Sequence, residues 1–186
     1  MEPIHERTIK IKTFEMGEDR ILIEGTLIDE RFCPTFAYLI SRIIGPKIVH
    51  NITVGIELSL PDLVIRSVNT NMTEVPAEVC KGAKDACDKL VGVSLLRGFK
   101  RTVKKLMGGV NGCLHLNTLL LSIGAYAFQG SHAYYHRVQD NGRLREIHLD
   151  ESIVVNSCHV WKESGPFAPR LKEIVQSAKD ARIVKQ

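Results

Sequence analysis

Alternating apolar and polar residues in the first third of the chain predict β-strands. The segment Thr8–Phe14 alternates with a period of two residues, turn-forming residues occupy positions 16–20, and a second strand-like segment runs over positions 21–28. Positions 48–58 and 63–68 repeat this arrangement around a Ser-Leu-Pro-Asp turn. A two-residue period is typical of half-buried strands. The sequence therefore predicts two successive β-hairpins.

After Pro76 the apolar residues recur at helical spacing instead. Three helices are predicted, with the apolar residues Val79, Cys80, Ala83, Cys87, Leu90 and Val91 in the first and Phe99, Val103, Leu106 and Met107 in the second. The second helix ends at Gly108, and the third runs from near Asn111 to about Gln129. Strands followed by helices predict an α+β fold, in which an antiparallel sheet carries helices on one face. We expect residues 1–186 to form a single domain.

Three shorter segments complete the prediction. Residues 36–44 carry apolar side chains at helical spacing and favour a short helix, with an insertion loop as the alternative. Residues 146–150 and 153–155 are predicted to pair as short strands, and a terminal helix is predicted from Pro169 to Ala178.

Composition and charge are those of an ordinary globular domain. The chain has 186 residues, of which 44% are hydrophobic and 25% are charged, and its net charge is +4. That charge is too small to predict binding to nucleic acid or to a membrane surface. The longest near-apolar stretch, residues 119–128, is about half the length needed to span a bilayer, and the first residues lack the apolar run of a secretory signal. Five scattered cysteines favour a reducing cytoplasm.

The segment Gly108-Gly-Val-Asn-Gly-Cys-Leu-His115 is the sharpest candidate for chemistry. Asn111 is a good helix N-cap, and with that cap Cys113 occupies the second helical position, where the helix dipole lowers the pKa of a thiol. Residues two apart in a helix diverge, so Cys113 and His115 converge on one metal only if the helix begins later. The alternative is a buried cysteine with a hydrogen-bonded histidine beside it.

Cys80 is a second candidate because it lies near a helix start behind Pro76, whereas Cys87 is predicted to be core. Cys80 and Cys113 both begin helices after a chain break, which predicts that they meet at the same edge of the sheet. Two thiolates that share a metal require sulfurs within about 4 Å of each other.

Cys158 and His159 form another cysteine and histidine pair. Adjacent strand residues face opposite sides, so only one of the two could reach Cys113 as a further ligand. The alternative is a strand anchored by Trp161 in which both residues are incidental.

Five basic residues fall on one arc of about 140° of the second predicted helix, with no acidic residue between them: Arg97, Lys100, Arg101, Lys104 and Lys105. They predict a patch for an anion or for an acidic protein partner. A solvated helix face is the alternative.

Two motifs carry a resemblance to a known family, namely residues 90–99 (LVGVSLLRGF) and residues 109–120 (GVNGCLHLNTLL), with Pro76 and Cys80 ahead of them. An Arg-Thr-Ile start at Arg7 and a Val49-His50 strand entry accompany these motifs. With these features the chain resembles the bacterial family Domain of Unknown Function 2889.

More distantly, the order of the elements is similar to that of the NifU and SufE scaffold proteins of iron–sulfur assembly. An antiparallel sheet is followed by a helix with a cysteine, and a later helix opens with another cysteine. This resemblance implies a two-layer fold and makes Cys80 and Cys113 the corresponding thiols.

Together these observations predict a cytoplasmic domain that handles a thiol, a divalent metal or an iron–sulfur cluster around Cys80, Cys113 and His115, with Cys158 or His159 as a further ligand. A non-catalytic module that docks an acidic partner through the basic helix is the alternative. A hydrolase with a cysteine nucleophile and a histidine base comes third, because the sequence identifies no orienting Asp or Asn. Whether the chain is an enzyme stays open at this point.

Overall fold

The structure is a computed structural model that describes residues 1–17, 19–137 and 154–183. The strands of this part of the chain are β1 His5–Glu15, β2 Arg20–Arg31, β3 Thr35–Ala37, β4 Arg42–Ile44, β5 Lys47–Ser59 and β6 Val64–Glu74. Four of them form an antiparallel sheet in the order β1-β2-β5-β6, and β3 pairs with β4 in a small separate sheet. Both predicted hairpins, β1–β2 and β5–β6, are present.

Helices follow the strands. The α-helices in the described residues are α1 Phe99–Met107, α2 Leu114–His136 and α3 Phe167–Ile183, and 3-10 segments cover Tyr38–Ile40, Glu78–Leu90 and Gly109–Asn111. The predicted α+β class is confirmed, as are the second helix and the terminal helix. None of the helices in the described residues has the length and apolar character needed to cross a bilayer.

Helix α2 packs along the inner face of the sheet. The core consists of fully buried side chains from both layers, among them Ile21, Ile23, Leu27, Ile52, Ile56, Leu58, Leu116, Leu119 and Ile123. The Tyr134 hydroxyl donates to the Gly17 carbonyl at 3.4 Å, in the turn between β1 and β2. Helix α2 therefore runs antiparallel to β2, with its first residues at the far end of that strand.

Gly25 in β2 allows this close approach. A Cβ atom at Gly25 would lie 2.9 Å from the Ile123 side chain, whereas one at Gly55 in β5 would lie at an ordinary 3.5 Å from Leu22. We expect Gly25→Ala to lower the free energy of unfolding by about 1–3 kcal/mol through overpacking, while Gly55→Ala leaves it unchanged or slightly raised. Chemical denaturation of the two variants measures the difference, and equal effects would contradict this packing.

The short helix predicted in residues 36–44 is wrong. This segment instead forms β3, a 3-10 turn and β4, with Ser41 reversing the chain at a φ of 49°. Its apolar side chains are exposed. A helical stripe needs a packing partner, and without one the β-branched residues and the turn at Ser41 decide the local structure.

The helix predicted after Pro76 is a thirteen-residue 3-10 helix, Glu78–Leu90, rather than an α-helix. Cys87 and Leu90, three residues apart, lie on its buried side, whereas Val79 is 84% exposed. A 3-10 helix has three residues per turn, so the residues that share its buried side differ from those expected for an α-helix. No strand occurs in residues 77–129, as predicted.

The chain separates into two compact units, Met1–Tyr134 and Tyr135–Gln186. In the second unit, α3 buries Ala168, Leu171 and Val175, and the Trp161 and Phe167 rings meet edge to face at 6.2 Å. The single domain expected from the sequence stays a prediction. The strand predicted for residues 146–150 and the first residue of the one predicted for 153–155 lie outside the described residues, and residues 154 and 155 do not form a strand.

Candidate metal centre

Three neighbouring strands place Arg7, Asp29 and His50 side by side. In the sheet register Arg7 lies opposite Asp29, and Asp29 lies opposite His50. The next pair joins Glu30 to Ile48, so Val49 is an extra residue that forms a β-bulge. Bulges change the direction of side chains and are frequent beside functional sites. His50 lies two residues before the buried Ile52, so the alternation of β5 places its ring on the inner face, beside the Asp29 carboxylate.

Asp29 is the buried charge at the centre of this group, with a side chain only 3% exposed. Arg7 donates from Nε to Oδ1 at 2.6 Å and from Nη2 to Oδ2 at 2.8 Å, a bidentate pair. Burial alone would raise the pKa of Asp29, but the hydrogen bonds and charge of Arg7, together with His115 and His50, hold this pKa below its usual value. Asp29 is therefore ionised at neutral pH.

Two imidazoles approach the same carboxylate oxygen. His50 Nδ1 lies 3.0 Å from Asp29 Oδ2, and His115 Nε2 lies 3.3 Å from it. The two rings stack with their centroids 3.6 Å apart. Burial, and next the neighbouring His115, lower the pKa of His50, so its ring is neutral and holds a free lone pair. His5 adds a third, more exposed imidazole, with Nε2 3.8 Å from Oδ1.

The spacing of these atoms fits a divalent transition-metal ion. Asp29, His50 and His115 each offer one ligand atom, and all three atoms lie within 4.8 Å of one another. Ligand atoms about 2.1 Å from a common ion are separated by about 3.0 Å in octahedral and about 3.4 Å in tetrahedral geometry. Two of the three separations, 3.0 and 3.3 Å from Asp29 Oδ2, match these values, and the two ring nitrogens lie within 4.8 Å of each other.

His50 Nδ1 supports this assignment independently. The atom is buried, and it has no hydrogen-bond partner despite its short distance to the carboxylate. The contact with the carboxylate offsets only part of the hydrogen bond to water that this nitrogen loses on burial, because its angle departs from that of a good hydrogen bond. Coordination of a cation by Nδ1 and Oδ2 together satisfies both atoms.

His115 reaches this group because α2 begins later than the sequence predicts. Gly109–Asn111 forms a separate 3-10 turn, so Asn111 is not the helix N-cap. Cys113 takes that role, because its carbonyl accepts from the Asn117 N–H at 2.9 Å and its sulfur accepts from the N–H groups of His115 and Leu116. Cys113 therefore precedes the regular helix, and its side chain converges with that of His115. The sequence allowed this convergence only if the helix began later than Asn111.

The Cys113 sulfur faces the ring nitrogen of His115 that points away from Asp29, at 3.8 Å from Nδ1. Burial acts to raise the pKa of Cys113, but the hydrogen bonds from the His115 side chain and from the two backbone N–H groups outweigh it, so the pKa lies below its usual value. The expected lowering is confirmed in direction. The His115 ring therefore lies between a thiol and a carboxylate.

Gly112 fixes the position of this turn. A Cβ atom there would come within 2.6 Å of the Met107 carbonyl oxygen, which is part of the rigid end of α1. The chain therefore passes directly against α1 before Cys113, and a side chain at Gly112 would displace the thiol.

The remaining candidates from the sequence lie elsewhere. Among the described residues the candidate ligand group of Asp29, His50 and His115 includes no cysteine, and Cys80 is half-buried in its 3-10 helix. The approach of Cys80 to Cys113 stays a prediction. Cys158 and His159 belong to the second unit, in an exposed turn rather than the predicted strand.

The basic residues of and before α1 are exposed, namely Arg97, Lys100, Arg101, Lys104 and Lys105. None of them forms an ion pair with another described residue. Docking of an acidic partner on this face stays a prediction.

The family of the chain follows from a comparison with family models. The model described as protein of unknown function (DUF2889) matches residues 5–129. The chain belongs to this family. The match contains all four strands of the main sheet and the start of α2, and hence every residue of the candidate centre. No curated protein and no solved structure matches the chain. The likeness to iron–sulfur scaffold proteins stays a prediction.

The sequence reasoning missed Asp29 and the role of His50, although a signal existed in this DUF2889 chain. Along β2 the inward positions are Ile21, Ile23, Gly25 and Leu27, and the next inward position is Asp29. An ionised side chain on the buried repeat of a strand is informative, because it needs a compensating partner. In the sequence, Arg7 and His50 stand out only as features that the chain shares with its family.

The two cysteines of the first unit with shifted pKa values should differ in reactivity. Cys87 is 1% exposed, and burial raises the pKa of its thiol, whereas the pKa of Cys113 is lowered. We expect Cys113 to alkylate faster than Cys87 at neutral pH, as peptide mapping after brief iodoacetamide treatment would show. Exposed Cys158 is the positive control for labelling. A Cys113 that reacts only after denaturation would contradict the expected thiolate.

Proposed function

We propose that this protein binds a single divalent transition-metal ion, of the class of Zn²⁺ or Fe²⁺, through Asp29 Oδ2, His50 Nδ1 and His115 Nε2. The observation that carries the proposal is the buried His50 Nδ1, which lies 3.0 Å from the carboxylate without a hydrogen-bond partner. Two imidazoles and one carboxylate are a common ligand set for these ions, and they leave coordination positions open for water or substrate.

The surroundings of the three ligands support the same assignment. Metal-bound histidines usually donate their second ring N–H to an acceptor, and Cys113 is that acceptor for His115. Metal-bound carboxylates are usually hydrogen-bonded as well, which is the role of Arg7. The pKa of Cys113 lies below its usual value, so its thiol ionises more readily, and a thiolate beside His115 would favour a bound cation.

Nitrogen and oxygen donors favour a mononuclear ion over an iron–sulfur cluster, because thiolates are the usual ligands of clusters. Cys113 is on the side of the His115 ring away from Asp29. In this proposal Cys113 orients a ligand and does not itself bind the ion.

Titration of chelator-treated protein with Co²⁺, followed by visible absorption, tests the proposal. We expect one equivalent to bind, and His50→Ala to weaken binding about 100-fold, since each ligand of a protein zinc site contributes about 3 kcal/mol. His132→Ala, which removes an exposed imidazole from α2, is the matched control and should bind as the native protein does. Absence of Co²⁺ binding, or equal affinity in His50→Ala, would refute the site.

A second candidate function rests on the position of the His115 ring between Cys113 Sγ at 3.8 Å and Asp29 Oδ2 at 3.3 Å. A nucleophile, a base and an orienting carboxylate in this order are the parts of a cysteine acyl-transfer site. The Asp that the sequence did not identify is thus Asp29. The thiolate would attack an acyl carbon, expel the leaving group and form a thioester that water hydrolyses.

His50 distinguishes the two candidates, because the metal site needs it and the thiol site does not. With p-nitrophenyl acetate as the probe, an acyl-transfer site predicts a burst of p-nitrophenolate that persists in His50→Ala and disappears in Cys113→Ser. The metal site predicts that Cys113→Ser retains Co²⁺ binding, weakened by about tenfold, as for other residues that orient a ligand. No burst in the native protein would eliminate the acyl-transfer candidate.

A further inference from the structure

The segment between β2 and β5 exposes an unusual concentration of apolar side chains. Residues 32–46 form an excursion, which we call the apolar hairpin, with β3 and β4 as its two short strands. Six of its large apolar side chains are 38% to 86% exposed: Phe32, Phe36, Tyr38, Leu39, Ile40 and Ile43. No residue from 32 to 47 is buried, so the hairpin contributes nothing to the core.

Several of these side chains adjoin one another near the tip. Phe36 lies opposite Ile43 across the small sheet, and its ring meets that of Tyr38 edge to face at 5.4 Å. Leu39 and Ile40, in the 3-10 turn, are 70% and 51% exposed. Exposed apolar surface gathered in this way usually marks a contact with a protein or a membrane.

Charge identifies the kind of surface that the hairpin fits. The sequence contains no Asp or Glu between Arg31 and Glu57, and Arg42 and Lys47 are exposed beside the apolar tip. Basic side chains next to exposed aromatic and aliphatic residues are the pattern of proteins that bind anionic lipid surfaces. Tyrosine also favours the boundary between lipid and water, because it has an apolar ring and a polar end.

The shape of the hairpin favours a bilayer over a protein partner. Strands β3 and β4 have three residues each, too short for a partner strand to add to their edge. The apolar residues lie at a turn rather than in a groove, so a protein would have to supply a matching pocket. A bilayer deforms around an inserted tip and needs no such pocket.

We propose that the apolar hairpin inserts its tip, from Phe36 to Ile43, into the interfacial region of a membrane that contains anionic phospholipid. Arg42 and Lys47 contact the headgroups. The proposal concerns surface attachment and does not depend on the metal centre. Because Asp29 and His50 lie just below the two ends of the hairpin, attachment would also bring the candidate centre to the membrane surface.

Co-sedimentation of the native protein with vesicles tests this attachment. We expect binding to vesicles of phosphatidylcholine with about one third phosphatidylglycerol to be at least tenfold stronger than to phosphatidylcholine alone, since each basic side chain near an anionic surface contributes about fivefold. Replacement of Leu39 and Ile40 together by serine should weaken binding by about tenfold or more. His50→Ala should bind vesicles as the native protein does.

The matched control replaces Val79 and Val91 by serine, two aliphatic residues that are 84% and 51% exposed away from the hairpin. This variant should bind vesicles normally. Equal loss in the control, equal binding to both kinds of vesicle, or no binding at all would overturn the proposal. A dimer of the native protein that the Leu39 and Ile40 variant makes monomeric, without vesicle binding, would assign the hairpin to an interface between copies. Binding to polyglutamate instead of vesicles, if the Leu39 and Ile40 variant loses it, would assign the hairpin to an acidic protein.

Discussion

Replacement of Arg7 by alanine is expected to lower the free energy of unfolding by about 3 kcal/mol, as removal of one partner of a buried ion pair does. The substitution removes both hydrogen bonds from the guanidinium to Asp29, whose side chain is 3% exposed. A buried carboxylate without a counter-charge then remains. Arg7 itself is 34% exposed, so water replaces part of its contribution and the loss lies at the lower end of the range for such pairs.

Two further variants show whether the uncompensated charge is the cause. Arg20→Ala removes an arginine that pairs with Glu57 at 3.1 Å on an exposed surface, and should cost less than about 1 kcal/mol. The double variant Arg7→Ala with Asp29→Asn removes the charge together with its partner, and should be more stable than Arg7→Ala alone. An Arg7→Ala protein as stable as Arg20→Ala would contradict the importance of the pair.

The effect of Arg7→Ala should also depend on pH. The pKa of Asp29 is lower in the folded chain than the ordinary value near 3.9, which applies to the unfolded chain. The ionised pair therefore stabilises the fold fully above that ordinary value, and its contribution is lost as the pH falls through the lowered folded pKa. The stability difference between the native protein and Arg7→Ala should narrow from neutral pH to about pH 3.

Zinc at about 100 times its dissociation constant is expected to raise the free energy of unfolding of the native protein by about 2.7 kcal/mol, because the ion binds the folded chain. His50→Ala should gain little or nothing at the same zinc concentration. Denaturant titration with and without zinc measures both gains, and excess chelator should reverse the effect. Equal stabilisation of the two proteins would place the ion outside the proposed centre.

The sheet was predictable because its strands obey a local rule. Alternation of side chains between a buried and a solvated face shows directly in the segments around Ile21 and Ile52. Residues 36–44 follow an equally regular helical pattern but form a hairpin, because most of their large apolar side chains are exposed and no element in the described part of the chain buries them. A periodic pattern therefore predicts secondary structure correctly where one face of the segment is buried. The same kind of prediction fails for the exposed residues 36–44.

For a similar reason, the sequence predicts only the part of the candidate centre that lies at the start of α2. The turn before α2 marks Cys113 and His115 locally, through its glycines and a helix start. The start itself was placed too early, because Asn111 is a good cap by residue type whereas the close approach of Gly112 to Met107 delays regular helix to residue 114. Asp29 and His50 join the centre only through the strand register, which no local pattern shows.

The apolar hairpin leaves and re-enters the sheet at one place, because Arg31 and Lys47 are still paired across β2 and β5. The ladder below them holds Asp29 and His50 in register whatever lies between its two ends. Insertions and deletions within residues 32–46 therefore change the chain length without displacing a ligand, and the cost of a longer loop grows only with the logarithm of its length. The turn at Ser41 is thus the natural point at which to graft a foreign peptide into the protein.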